Sequence, residues 1–173
     1  MSDIKQTYEI AAAPAEVWRA LTDPRIIEEW SGARANFPLE VGAAYALWDG
    51  TIGGEIVEIV HGQKLAQTWK PQDWTRTDSV VTFTLTPRGN GTRVDLLHVN
   101  VEESDYDGTT EGWDIYYLGA IKRMFEASAG KTRDTKTAKK PKAAKNAAKK
   151  KSPVKPSKKP AKKKVTAKRK ARK

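Results

Sequence analysis

The charge of this chain is divided between two stretches that cannot share one core. From Lys131 to Lys173 there are 21 basic residues and a single acid, Asp134, so this stretch carries a net +20. Residues 1–130 hold 11 basic and 20 acidic residues, a net charge of −9. All six Trp, all five Tyr and all three Phe fall in the first stretch, and Val154 and Val165 are the only apolar residues larger than Ala in the second. A segment so poor in apolar surface cannot offset the entropy of ordering, so residues 131–173 are expected to be a disordered Lys/Ala/Pro-rich tail. Residues 1–130 suit one domain with a sizeable core.

The absence of Cys rules out disulfides, thiolate catalysis and Cys-ligated zinc. With only two His, far apart in sequence, no metal site is expected, and no cofactor motif is present. Gly130-Lys131-Thr132 lacks the earlier glycine of a phosphate-binding loop, where Phe125 stands, and Asn90-Gly91-Thr92 reads as a tight turn. No apolar run resembles a signal peptide or spans a bilayer, so the expectation is a soluble, cytoplasmic protein.

Hydrophobic periodicity sets the order of elements. Ile4, Tyr8 and Ile10 share one parity, as a half-buried strand requires. Pro14 opens a short helix with Val17, Trp18 and Leu21 on its apolar face; Asp23-Pro24 ends it, and Arg25–Trp30 reads as a second. From Ala35 to Val101 strands alternate with turns at Gly42, Asp49-Gly50, Gly53-Gly54, His61-Gly62 and Gly89-Asn90-Gly91. The clearest hairpin joins Val80–Thr86 to Thr92–Val101 through a five-residue connection. Beyond Asp107-Gly108 the period becomes helical, with Trp113, Tyr117 and Ile121 in one stripe flanked by Tyr116, Met124 and Phe125, fraying at Gly130. The class is α+β: a curved antiparallel sheet wrapped on a long C-terminal helix, with a cavity or groove between them.

Gly54-Glu55-Ile56-Val57-Glu58-Ile59-Val60, Trp69-Lys70, and Gly112-Trp113-Asp114-Ile115-Tyr116-Tyr117 with Ile121-Lys122 and Phe125 resemble one family. It is the C-terminal domain of the activator of the ninety-kilodalton heat-shock chaperone's ATPase, in the START-like (SRPBCC) helix-grip superfamily, and the resemblance covers roughly residues 5–127. It implies the helix-grip fold and a possible chaperone partner; single-domain relatives in the superfamily include carriers of apolar ligands and polyketide cyclases. In the eukaryotic co-chaperone this domain follows a separate N-terminal domain. This sequence opens on the first helix-grip strand, so that partner domain is expected to be missing.

The candidate cavity residues are Trp30, Trp48, Trp69, Phe83, Leu96, His98, Trp113 and Tyr117. His98 shares the inward parity of Val94 and Leu96, so it either faces the cavity as a base or ligand-orienting group, or is a satisfied strand histidine. Asp114 is a possible partner for it, although Glu111 and Asp114 equally suit the first turn of a helix. Trp74, in a polar loop, is expected to cover the cavity mouth or mark a partner contact.

The tail resembles that of linker histones, down to Ser152-Pro153-Val154-Lys155. Its phosphate-contact candidates are Lys139, Lys140, Lys149, Lys150, Lys151, Lys158, Lys159, Lys162, Lys163, Lys164, Lys168, Arg169, Lys170, Arg172 and Lys173. Without aromatics it reads charge and not sequence. The expectation is a non-enzymatic START-like domain that binds an apolar small molecule or a protein, tethered non-specifically to nucleic acid and thus to nucleoid or chromatin. The alternatives are a chaperone-ATPase cofactor and a cyclase- or hydrolase-like enzyme using His98.

Overall fold

A computed structural model describes residues 2–134 of the chain, with backbone alone for Ser2 and residues 130–134. In chain order the elements are β1 (Ser2–Ile10), α1 (Pro14–Thr22), α2 (Pro24–Ser31), β2 (Ala44–Leu47), β3 (Ile52–Val60), β4 (Lys64–Thr68), β5 (Lys70–Pro71), β6 (Val80–Arg88), β7 (Gly91–Val101), α3 (Tyr106–Gly112) and α4 (Leu118–Asp134). A π turn, Trp113–Tyr117, joins the last two helices into one rod. Seven antiparallel strands form a single curved sheet in the order β1-β7-β6-β4-β3-β2, with β5 paired to β3. The rod lies across its concave face, giving the helix-grip, α+β architecture expected.

Strand parity decides which side chains reach that face. Ile4, Tyr8 and Ile10 of β1 are buried, as are Val81, Phe83 and Leu85 of β6. Each large apolar side chain so buried contributes roughly 1.5–3 kcal/mol. Proline opens α1, and the Glu16 carboxylate accepts from the Ala13 N–H at 3.0 Å. Asp23 caps α2 by accepting from the Arg25 N–H at 3.1 Å, and Gly32, at φ 71°, ends it in a left-handed turn.

Three turns and ends differ from the sequence expectation. The β6–β7 strands pair up to Arg88 and Gly91, so the connection is the two residues Gly89-Asn90 and not five. Gly53-Gly54 is not a turn but lies within β3. A Cβ on Gly54 would collide with the Thr68 carbonyl oxygen, so glycine here serves close strand approach. The final helix begins at Tyr106 and continues through Gly130 to Asp134, which leaves Glu111 and Asp114 outside its first turn.

The π turn explains the faces of the last helix. Its extra residue brings both Tyr117 and Leu118 inward, while Ile115 and Tyr116 turn out to solvent at 45% and 64% exposure. Tyr116 therefore does not flank the buried stripe as expected. Gly119 makes the turn possible, because a Cβ there would collide with the Asp114 carbonyl oxygen. The Arg123 guanidinium donates to the Asp114 and Ile115 carbonyls and so supplies partners at the widened turn.

Candidate functional site

The site is built around two adjacent indoles, Trp69 following β4 and Trp113 at the start of the π turn. Their ring centroids lie 4.6 Å apart, and both residues are buried. On one side they enclose His98; on the other they line a groove.

His98 of β7 is fully buried. The Trp113 indole N–H donates to its Nδ1 at 3.2 Å, which places the imidazole proton on Nε2. That proton is donated to Ser79 Oγ, 2.8 Å away, whose own hydroxyl reaches the Val99 carbonyl at 3.4 Å. Rings close the remaining directions. Trp69 and Trp113 meet the imidazole edge-on at 5.9 and 5.5 Å between centroids, and Trp74 runs nearly parallel to it at 6.0 Å. Burial holds the His98 pKa down at about 4, against a smaller opposing pull from Asp3. An imidazolium would also turn Nδ1 into a donor facing the Trp113 donor. His98 is thus the satisfied strand histidine; it does not line the groove, and Asp114 is not its partner.

Trp74 is likewise not an exposed marker. It is buried, and its indole N–H donates to Asp105 Oδ2 at 2.8 Å. Glu102 pins the loop that follows by accepting from Thr75 Oγ1 and the Arg76 N–H.

The groove on the other side has a volume of about 520 Å³, within the range typical of ligand sites. Trp48, Trp69, Trp113, Tyr116 and Tyr117 form most of its wall, with Thr51, Ile52, Pro71 and the Asp105–Gly112 turn completing it. Of the eight residues expected at a cavity, Trp48, Trp69, Trp113 and Tyr117 meet here. Phe83 and Leu96 are buried core, and Trp30 packs behind Trp48 and Tyr117 with its indole N–H donating to the Ala20 carbonyl at 2.9 Å. Trp48 is delivered by a 3₁₀ turn after β2, where it and Asp49 sit in the left-handed region at φ 48° and 56°. That conformation is uncommon and strained for an indole-bearing residue. Arg34 steadies the turn through its 3.0 Å bond to Asp49 Oδ1.

Two polar side chains inside the sheet, Tyr45 and Gln67, were not singled out from sequence. Tyr45 donates to the Thr68 carbonyl at 2.6 Å. Gln67, fully buried, places its amide beside the Tyr45 hydroxyl without completing a hydrogen bond, and the buried Tyr117 hydroxyl has no partner among the described residues. Burial raises both the Tyr45 and Tyr117 phenols well above their ordinary range. An isolated Gln in Leu65-Ala66-Gln67 was the available signal. Ser79 and Asp105 were also missed, because neither stands at a spacing that points to its partner.

Among the described residues no cluster of His and acids could hold a metal ion, and no helix is long and apolar enough to cross a membrane. The phosphate-contact candidates from Lys139 to Lys173 lie outside the described residues.

Residues 11–126 match the family described as Activator of Hsp90 ATPase homolog 1-like protein. The Activator of 90 kDa heat shock protein ATPase homolog of Dictyostelium discoideum is 25% identical over 128 residues, 73% of this chain and 33% of that one. Homolog 1 of Homo sapiens is 22% identical over 123 residues, 70% of this chain and 36% of that one. The chain therefore spans about a third of the length of these curated relatives. Among solved structures, an HSP90 activator from Plasmodium falciparum is 28% identical with a TM-score of 0.67, covering 72% of this chain and 96% of that one.

Proposed function

The chain belongs to the Activator of Hsp90 ATPase homolog 1-like family, and on that premise we propose that its helix-grip domain is a co-chaperone module that binds a chaperone of the ninety-kilodalton heat-shock class and raises its ATP turnover. The observation that carries this reading is the outward pair Ile115 and Tyr116. It lies inside the Gly112–Tyr117 segment of the family resemblance, where the π turn exposes two large apolar side chains. Tyr116 stands between two open grooves, that of Trp69 and Trp113 and a second bounded by Trp30, Met124 and Arg123. An exposed apolar ridge between concavities is the kind of surface that anchors a protein partner.

The test is steady-state ATP hydrolysis by a purified chaperone of that class with and without this protein. The expected result is stimulation that the double change Ile115→Ser, Tyr116→Ala reduces at least about tenfold, with the urea midpoint nearly unchanged because both side chains are exposed. No stimulation by the unaltered protein overturns the reading.

Charge supports a second reading for residues 131–173, as a sequence-independent nucleic-acid tether. Its net +20 favours phosphate backbones with a steep salt dependence. Retention of duplex DNA by the full chain, lost on removing residues 131–173 and at high salt, supports it; retention without those residues removes it.

A further inference from the structure

The composition of the groove wall is selective in a way that co-chaperone activity does not require. Five aromatic side chains, Trp48, Trp69, Trp113, Tyr116 and Tyr117, surround one open space, and among the described residues no Lys or Arg borders it. Among the described residues the single charged one in the wall is Asp105. Its Oδ2 accepts from Trp74 at 2.8 Å and from Thr109 Oγ1 at 3.1 Å, which fixes the carboxylate in place. Gly108 lies directly against the other oxygen, where a Cβ would come within 2.7 Å of Oδ1. Glycine thus leaves the wall open beside that oxygen. Residues 1–130, Asp105 included, carry a net charge of −9.

Aromatic faces carry negative potential at their centres, so a ring-walled space with a fixed carboxylate favours positive charge. A compact ammonium such as that of Lys would have to shed strongly bound water to enter an apolar wall. A charge spread under methyl groups sheds little and keeps full contact with the rings. A neutral apolar ligand would gain the rings but nothing from Asp105, and an anion would be repelled by it.

We propose that this groove binds a small quaternary ammonium compound of the choline type, its methylated cation held among Trp48, Trp69, Trp113 and Tyr116 with Asp105 as counter-charge. The binding is independent of any chaperone.

The test uses intrinsic tryptophan fluorescence of the full chain, since three of the six indoles line the groove. Choline chloride is titrated against its neutral isostere 3,3-dimethylbutan-1-ol, with ionic strength held constant. The expected result is saturable binding of choline about tenfold tighter than the alcohol, the size of a partly desolvated cation–π contribution. Asp105→Asn keeps an oxygen for Trp74 and should weaken choline several-fold while leaving the alcohol unchanged. Tyr116→Ala, at an exposed position, should weaken choline with the urea midpoint retained. Equal affinity for choline and alcohol, a choline response unaffected by both variants, or no saturable choline response overturns the proposal. None of these outcomes bears on ATP turnover by a chaperone, so the two readings fail separately.

Discussion

Trp69 and Trp113 face two environments, and the contrast between them shows what fixes the role of an aromatic cluster. Toward His98 every polar tip has a partner: the Trp113 N–H, both imidazole nitrogens, the Ser79 hydroxyl and the Trp74 N–H. Toward the groove the same pair meets Trp48, Tyr116 and Tyr117, where Tyr116 is 64% exposed and the Tyr117 hydroxyl has no partner among the described residues. The first arrangement is complete in itself and resists change; the second leaves ring surface uncovered and a buried hydroxyl unpaired. Ring content alone does not separate them. What separates them is whether the polar edges are already satisfied.

If that contrast is real, truncations on its two sides should differ sharply. Trp113→Ala empties a buried ring site and strips His98 Nδ1 of its donor, so it should destabilise by about 3–5 kcal/mol. Trp48→Ala removes a partly buried ring and keeps the Cβ that makes the left-handed backbone costly, so roughly 1 kcal/mol is expected. Urea unfolding of both variants measures this. Equal losses would mean that the groove wall is core like the rest.

The sealed side should also announce itself through pH. His98 has a native pKa of about 4 against an ordinary 6.5. Between those values the unfolded chain takes up a proton that the native protein refuses, so stability falls as pH falls across that window. The loss is on the order of 3 kcal/mol, and this contribution is complete only below about pH 4, where both states are protonated. The carboxylates of Asp23 and Asp78 act at lower pH, their Arg partners holding them below the ordinary carboxylate value. Urea midpoints from pH 7 to 4 should show the decline in the unaltered protein. His98→Leu should be less stable throughout yet lose that slope. A slope that survives the substitution would show that His98 is not the closed, neutral group described.

How much of this was readable beforehand follows from what each pattern records. Parity marks facing, so the burial of Ile4, Tyr8 and Ile10 and of Val81, Phe83 and Leu85 was legible, and with it the sheet. Parity also turned His98 inward correctly. It could not report that Ser79, 19 residues earlier, would meet its Nε2, because side-chain partners across strands depend on register. The helical stripe Trp113, Tyr117, Ile121 was legible, but the π turn inside it was not. An i, i+4 pattern survives one inserted residue, and only the collision that Gly119 avoids distinguishes the two geometries. Trp74 was misread for a related reason. Its loop is polar in sequence, yet Asp105 and Glu102 reach it from the far end of β7. Trp48 was placed at the groove by aromatic content, while the left-handed backbone that aims it had no sequence signature beyond Asp49-Gly50.

The smallest expected effect gives the finest test of the contrast. Tyr117→Phe deletes one oxygen and leaves the ring in place. A buried hydroxyl without a partner contributes little or is unfavourable, so the change should be neutral or stabilising, within about 1 kcal/mol. Tyr45→Phe deletes the same atom type close by, but that hydroxyl donates to the Thr68 carbonyl at 2.6 Å. Its removal leaves a carbonyl oxygen short of a donor and should destabilise by about 1–2 kcal/mol. The two variants differ chiefly in whether the lost oxygen had a partner, so opposite signs in their urea midpoints would locate the unpaired buried hydroxyl at Tyr117. If Tyr117→Phe proves the costlier of the two, the Tyr117 hydroxyl is bonded in solution, and the groove is as fully satisfied as the box around His98.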